Sequence, residues 1–265
     1  MVYNYYPGCT LSTKAKKLDI YARAAAKALG FELAELKEWQ CCGAVYPLAQ
    51  DAIGERLAAA RSLAAAEDGK LVTLCSACHH VLKRVNADMA ANGEICAKVN
   101  AYLGEEETYH GQTEVWHYLE ILKREIGFDE IARRVKNPLT GRKIGAYYGC
   151  LLLRPAGVMQ FDDAENPGIL EDFIAALGAT PIIYDYRNEC CGGYLTLTDK
   201  QATGEMVGRV IASARQKGVA ELITACPLCS YNLEVNALGT EMPVHYFTEL
   251  LAEALGLKEE ETACR

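Results

Sequence analysis

The stretch Glu189-Cys190-Cys191-Gly192-Gly193 decides how this chain is read, because an adjacent cysteine pair followed by glycine occurs twice in it. The earlier copy is Cys41-Cys42-Gly43. Around each pair the same order is set out: a single cysteine upstream, Cys9 or Cys150, and a C-x-x-C downstream, Cys75-Ser76-Ala77-Cys78 or Cys226-Pro227-Leu228-Cys229. The spacings between these landmarks are similar, and so are their neighbours. Tyr5-Tyr6-Pro7-Gly8-Cys9 echoes Tyr147-Tyr148-Gly149-Cys150, and Ala28-Leu29-Gly30 echoes Ala176-Leu177-Gly178. This internal duplication places all but Cys96 and Cys264, so a function must account for two sites.

Composition bounds the answer. With 265 residues, 51% of them apolar, the chain can bury one large core or two smaller ones. No apolar run reaches the roughly 18 residues of a spanning helix, and Met1-Val2-Tyr3-Asn4 opens a strand instead of a leader. The expectation is a cytoplasmic protein with no transmembrane segment. In that compartment 12 cysteines serve metal or redox chemistry sooner than disulfides. A formal charge of −8 argues against a nucleic-acid partner.

Taken in order, residues 2–6 read as a strand ending at a turn that carries Cys9, and residues 14–29 as a helix. Strands are expected over 31–36 and 70–74, and helices over 51–66 and 81–89. The cysteine pattern then stops, and 114–126 reads as an amphipathic helix within a helical connection, 93–141. The second copy repeats the order: strand 143–148, helix 167–177, strand 181–184, helix 201–217, strand 221–225 and helix 231–237, then a final helix 247–255. This predicts an α/β fold of two pseudo-repeated units, 1–92 and 142–257, each a small, mainly parallel sheet flanked by helices, with a tail 258–265. Parallel strands share a carboxyl edge, where ligands bind and where three cysteine groups per unit would converge.

Five thiols per unit are one more than structural zinc or a cubane iron-sulfur cluster takes. A zinc site with a spare cysteine leaves the repeated adjacent pair unexplained. A disulfide between neighbours closes a strained, labile ring. Cys75-Ser76-Ala77-Cys78-His79 matches the C-x-x-C-H haem pattern, but the second copy has Ser230 in place of the histidine. Gly43 and Gly192 suit a backbone that passes close to a bound group, since glycine tolerates positive φ. Cys96 reads as a small core residue and Cys264 as a residue of the tail; neither has a role.

Both five-cysteine sets resemble the CCG domain, and Tyr6-Pro7-Gly8-Cys9-Thr10, Tyr148-Gly149-Cys150-Leu151, Phe161-Asp162-Asp163 and Glu189-Cys190-Cys191-Gly192 resemble the B subunit of heterodisulfide reductase. The resemblance implies two noncubane [4Fe-4S] clusters, one on Cys9, Cys41, Cys42, Cys75 and Cys78, the other on Cys150, Cys190, Cys191, Cys226 and Cys229. It implies an oxidoreductase that opens a disulfide between the clusters, acting on a small thiol or disulfide or on a protein-bound thiol. It also implies partners: a ferredoxin-like iron-sulfur protein, the C subunit of such a complex, fed by a flavin-containing one, its A subunit. The chain itself has no ferredoxin cysteine run and no dinucleotide fingerprint. The alternative is a CCG-domain electron-transfer component of another redox complex, with no disulfide substrate of its own.

Side chains that would assist are harder to assign. Lys14, Lys16, Lys17, Arg23 and Lys27 stand against Asp19 near Cys9, a basic start suited to an anionic substrate or simply to a solvated helix face. Arg154, four residues after Cys150, is the better anion candidate, and His79 and His80 are candidate proton donors by their pKa class.

Overall fold

The computed structural model describes residues 1–44, 50–66, 69–104, 108–237, 239 and 241–257. In chain order the elements of the first half are β1 (Val2–Tyr6), α1 (Gly8–Ser12), α2 (Lys16–Leu29), β2 (Glu32–Glu35), α3 (Gly54–Ala64), β3 (Lys70–Thr73), α4 (Ser76–Ala91), α5 (Gly93–Leu103) and β4 (Glu114–His117). Next come α6 (Tyr118–Ile121), a π-helical turn (Leu122–Ile126) and α7 (Phe128–Arg134). The second half runs β5 (Lys143–Tyr147), α8 (Ala156–Met159), α9 (Ile169–Ala176), β6 (Thr180–Pro181), a 3-10 turn (Gly193–Leu195), α10 (Lys200–Gln216), β7 (Glu221–Thr224), α11 (Pro227–Val235), β8 (Val244–Tyr246) and α12 (Phe247–Ala254).

The strands form two parallel four-stranded sheets of one topology, β2-β1-β3-β4 and β6-β5-β7-β8. Parallel neighbours need crossovers, which the helices supply and which bury both faces of the sheet. Accordingly all four residues of β7 are buried, and so are Leu71, Val72 and Thr73 of β3. Helix α2 lays Ala22, Ala25, Ala26 and Leu29 against its sheet and ends at Gly30, whose φ of 88° closes the last turn as a left-handed cap. The α/β architecture with two repeated units agrees with the sequence reading.

Four local expectations change. Residues 114–117 are not helical: Val115 and His117 are buried on alternate positions, and β4 pairs with β3 along Lys70↔Glu114 to Thr73↔His117. A strand therefore lies within 93–141, read as a helical connection, and completes the first sheet. The strand expected over 181–184 shrinks to Thr180–Pro181, where Pro181 has no N–H to give the ladder. The helices read from 81 and 231 begin earlier, at Ser76 and Pro227, so that Cys75 and Cys226 are their N-caps. The turn after β1 is a short helix, α1, that carries Cys9. The tail 258–265 lies outside the described residues.

One core spans both halves, with α12 packed on α2 and the Thr248 hydroxyl donating to the Leu18 carbonyl at 3.0 Å, and a smaller one lies within the second half. They meet where β3 and β7 end. The Ser76 amide and hydroxyl both donate to the Ala225 carbonyl, at 3.3 and 2.8 Å. The matching bond in the other direction cannot form, because Pro227 stands where Ser76 does and has no N–H. Instead the Leu74 carbonyl accepts from the Tyr246 hydroxyl at 2.6 Å and from His117 Nε2 at 2.8 Å, while the same hydroxyl lies 3.0 Å from the Ala225 carbonyl. Tyr246 and His117 hold equivalent places at the ends of β8 and β4, opposite Thr224 and Thr73.

His117 is fully buried and donates from Nε2, so the fold holds it neutral; burial lowers its pKa to about 3. The unfolded chain protonates the same ring below about pH 6.5. Because the unfolded state then binds more protons, stability is present above that pH and is lost as pH falls from about 6.5 toward 3. The melting temperature should fall between pH 7 and pH 5, and His117→Gln, which keeps an N–H for the Leu74 carbonyl but cannot titrate, should flatten that fall. Identical slopes for both proteins would refute the assignment.

Candidate functional site

Each unit delivers its five cysteines from three places at the carboxyl edge of its sheet. Cys9 on α1 follows β1, Cys41 and Cys42 lie in the segment after β2, and Cys75 and Cys78 sit at the cap and first turn of α4. In the second unit Cys150 is in the turn after β5, Cys190 and Cys191 precede the 3-10 turn, and Cys226 and Cys229 open α11. The sulfurs touch in one order in both units. Cys41 Sγ is 3.4 Å from Cys9 Sγ, Cys42 Sγ is 3.5 Å from Cys78 Sγ, and side-chain hydrogen bonds join Cys41 to Cys42 and Cys78 to Cys75. Likewise Cys191 Sγ is 3.6 Å from Cys229 Sγ, with Cys150 joined to Cys190, Cys190 to Cys191, and Cys229 to Cys226.

Two repeated devices hold these groups. The tyrosine that ends the first strand of each unit reaches the residue before the cysteine pair: Tyr6 donates to the Gln40 carbonyl at 2.6 Å, and Tyr147 to the Glu189 carbonyl at 2.8 Å. Two residues after each tyrosine stands a glycine at positive φ, Gly8 at 72° and Gly149 at 63°. A Cβ on Gly8 would lie 2.7 Å from Cys78 Sγ, and one on Gly149 would lie 3.1 Å from Cys229 Sγ. Only glycine lets the first loop approach the C-x-x-C sulfur. Sequence reasoning misses both roles, although the repeated Tyr-x-Gly-Cys spacing carries the signal. Gly43 and Gly192 also have positive φ, as expected for the two pairs.

Five thiols this close cannot all ionise, since neighbouring thiolates repel. In the first unit hydrogen bonds from Cys41 and Cys78 hold the Cys42 thiol well below its ordinary pKa, and Cys41 is raised in return, chiefly by its bond to Cys42. In the second unit bonds from Cys150 and Cys191, with the Gly192 and Gly193 amides, lower Cys190, and Cys150 rises. Cys226 is lowered too, first by its bond to Cys229, with help from backbone amides that include Ala77 of the other unit. Each set thus favours a thiolate at a few positions, Cys42 in the first unit and Cys190 and Cys226 in the second, beside neighbours held protonated, and a bound metal would displace the remaining protons. Among the described residues no three donors surround a single-ion point. The sulfurs form one chain of five thiols in each unit, one donor more than a tetrahedral zinc takes.

The assisting candidates fare differently. Lys14 is exposed in the turn between α1 and α2. Arg23 is paired with Asp19 at 2.8 Å and Glu35 at 2.7 Å. Together with Lys27 it lines an open hollow of about 640 Å³ that includes Met1 and Val2, at the amino end of β1 and away from the cysteines. Arg154 donates to the Asn188 carbonyl at 3.0 Å and to Glu165 at 3.2 Å, so its charge is already engaged. His79 is fully buried against His117 and Phe161, 3.3 Å from the Thr73 hydroxyl, and burial drives its pKa well below the usual value. His80 is buried with Nδ1 at 3.1 Å from the Leu151 carbonyl. Cys96 is a buried residue of α5, 3.4 Å from His110 Nδ1 and apart from both sets, and Cys264 lies outside the described residues.

Residues 3–83 and 144–234 each match the cysteine-rich CCG domain. A membrane anchor component of the 8-methylmenaquinol:fumarate reductase from Wolinella succinogenes is 30% identical, over 97% of this chain and 93% of its own. A protein from Archaeoglobus profundus, described as like the B subunit of heterodisulfide reductase, is 28% identical, over 98% and 93%. The B subunit of a ferredoxin:CoB-CoM heterodisulfide reductase from Methanosarcina mazei is 26% identical, over 96% and 89%. The fold is shared with a hypothetical protein from Helicobacter pylori at a TM-score of 0.76 and 13% identity, over 98% of this chain but only 50% of that one. No helix among the described residues is long and apolar enough to cross a membrane.

The thiol electrostatics are open to test on metal-free protein. Cys190 combines partial exposure with a lowered pKa, so iodoacetamide at pH 6 should alkylate it at least tenfold faster than Cys150, as read by peptide mass spectrometry. Equal rates would contradict this charge distribution.

Proposed function

Because the chain belongs to the cysteine-rich CCG domain family and carries that domain twice, we propose that it is the catalytic B subunit of a heterodisulfide-reductase-type complex, which reduces a disulfide or, in reverse, forms one. The observation that carries this reading is the pair of complete five-thiol sets, alike in sulfur order and joined across one seam. Cys9, Cys41, Cys42, Cys75 and Cys78 would hold one noncubane four-iron four-sulfur cluster, and Cys150, Cys190, Cys191, Cys226 and Cys229 the other. When bound, such clusters supply single electrons and Lewis-acidic iron. Opening a disulfide takes two electrons and two protons and yields two thiols, a stoichiometry that two one-electron centres match.

The chain's own groups take narrower parts. Lys14, exposed near Cys9, draws in an anionic substrate, an effect that salt screens over about 8 to 10 Å. Arg154, engaged with Glu165 and the Asn188 carbonyl, shapes the Cys150 turn more than it offers a free cation. His79, sealed and neutral, does not donate the protons, which come from solvent. Electrons arrive from a ferredoxin-like iron-sulfur C subunit, served by a flavin-containing A subunit, in the cytoplasm. The substrate is a small disulfide or thiol, or a thiol carried on a protein.

A second reading has its own support. A relative at 30% identity is named for a menaquinol:fumarate reductase, which favours a CCG electron-transfer component with no disulfide substrate. One anaerobic preparation separates the two. The protein should hold about eight irons and as many acid-labile sulfides, and Cys42→Ser and Cys191→Ser should each remove about half of the iron. Adding candidate thiols to the oxidised protein should raise a new paramagnetic signal. Normal iron with no thiol-dependent signal favours electron transfer alone, and stoichiometric zinc without sulfide overturns both readings.

A further inference from the structure

The cross-unit bonds divide their work. Ser76 and Tyr246 tie together the strand ends that precede Cys75 and Cys226, and the Tyr194 hydroxyl donates to the Ala44 carbonyl at 2.6 Å, linking the two segments that follow the cysteine pairs. The turn carrying Cys150 is reached across the seam by His80.

His80 stands on α4 two residues after Cys78, with only 3% of its surface exposed. Its Nδ1 lies 3.1 Å from the carbonyl of Leu151, the residue after Cys150. A carbonyl only accepts, so Nδ1 carries the proton and the neutral ring is held in one tautomer. The receiving turn is closed on itself, with the Leu153 and Arg154 amides donating to the Cys150 carbonyl at 3.2 and 3.1 Å. A force on Leu151 is therefore a force on Cys150. Lys83, one turn further along α4, bonds the Met159 carbonyl beyond that turn and stiffens the same approach. The duplication does not explain His80: the equivalent residue after Cys229 is Tyr231, which is 52% exposed. The histidine is an asymmetric addition placed where the two thiol sets adjoin.

We propose that His80 is the positioning residue that sets the gap between the two thiol sets, by donating from Nδ1 to the Leu151 carbonyl and so fixing the Cys150 turn against the helix that carries Cys78. The significance of that gap rests on the two-cluster function proposed above, whereas the clamp itself does not. With the clamp in place, both sets address one ligand from a constant separation.

His80→Leu removes the donor, and His80→Asn keeps a side-chain N–H close to the position of Nδ1. Two readouts are taken on the full chain: hydrogen exchange of peptides spanning 150–154, and, after anaerobic iron loading, the splitting that one paramagnetic site imposes on the other. His80→Leu should retain wild-type iron content, exchange at least tenfold faster across 150–154 and alter the splitting; His80→Asn should restore both. Unchanged exchange in His80→Leu overturns the clamp. Faster exchange with unchanged splitting, or an equal defect in both variants, overturns its role in setting the gap. If wild-type protein takes up no iron, the two-cluster reading fails while hydrogen exchange still decides the clamp.

Discussion

Two carbonyl oxygens, those of Leu74 and Ala225, hold this molecule in register. Each belongs to the residue directly after a central strand, immediately before the first cysteine of a C-x-x-C, so whatever fixes the carbonyl also fixes the sulfur beside it. Buried carbonyls need donors, and one left unsatisfied costs about 1 to 3 kcal/mol. Ser76, Tyr246 and His117 supply them from both units, which makes satisfaction of the strand ends and docking of the halves a single event. Pro227 breaks the symmetry of the exchange, and the Tyr246 hydroxyl, bridging both oxygens, makes good the bond that proline cannot form.

The thiol sets follow from that seam. Once β3 and β7 are joined end to end, α4 and α11 begin side by side, and the Ala77 amide of one unit lies close enough to lower the pKa of Cys226 in the other. The start of α11 carries partial positive charge, which favours the thiolate of its N-cap, Cys226. The first strands then bring Cys9 and Cys150 through loops that only glycine at Gly8 and Gly149 allows so near Cys78 and Cys229. Tyr6 and Tyr147 pull in the cysteine pairs. The result is two compact thiol sets in which only a few members ionise readily and the others keep their protons.

Much of this is legible in the sequence because ligand residues and glycines are constrained one by one: the Cys-Cys-Gly pairs, the C-x-x-C steps and the Tyr-x-Gly-Cys strings repeat at matching places. The fourth strand of each sheet is not legible, for a chemical reason. Val115-Trp116-His117-Tyr118-Leu119-Glu120 and Val244-His245-Tyr246-Phe247-Thr248-Glu249 play the same part, each turning from a strand into a helix whose glutamate caps the backbone N–H at His117 or Tyr246. Yet His117 and Tyr246 do the same bonding with different side chains, and the apolar residues after His117 recur at a helical spacing that masks the strand before them. The charges of Arg154 and Arg23 are visible in the sequence, but their engagement by Glu165 and Glu35, 11 and 12 residues further along and beyond a helical repeat, is not. That His79 turns into the core while His80 spans the seam depends on the docking of the second half.

On the proposed reading, the two complete thiol sets, built by one repeated design, would each hold a multi-iron centre on either side of a shared seam. Anomalous diffraction from anaerobically grown crystals, recorded on both sides of the iron edge, tests it most directly. Two separate groups of four irons are expected, one among Cys9, Cys41, Cys42, Cys75 and Cys78, the other among Cys150, Cys190, Cys191, Cys226 and Cys229. A single occupied set, or one isolated metal peak in each set with absorption at the zinc edge, would contradict it.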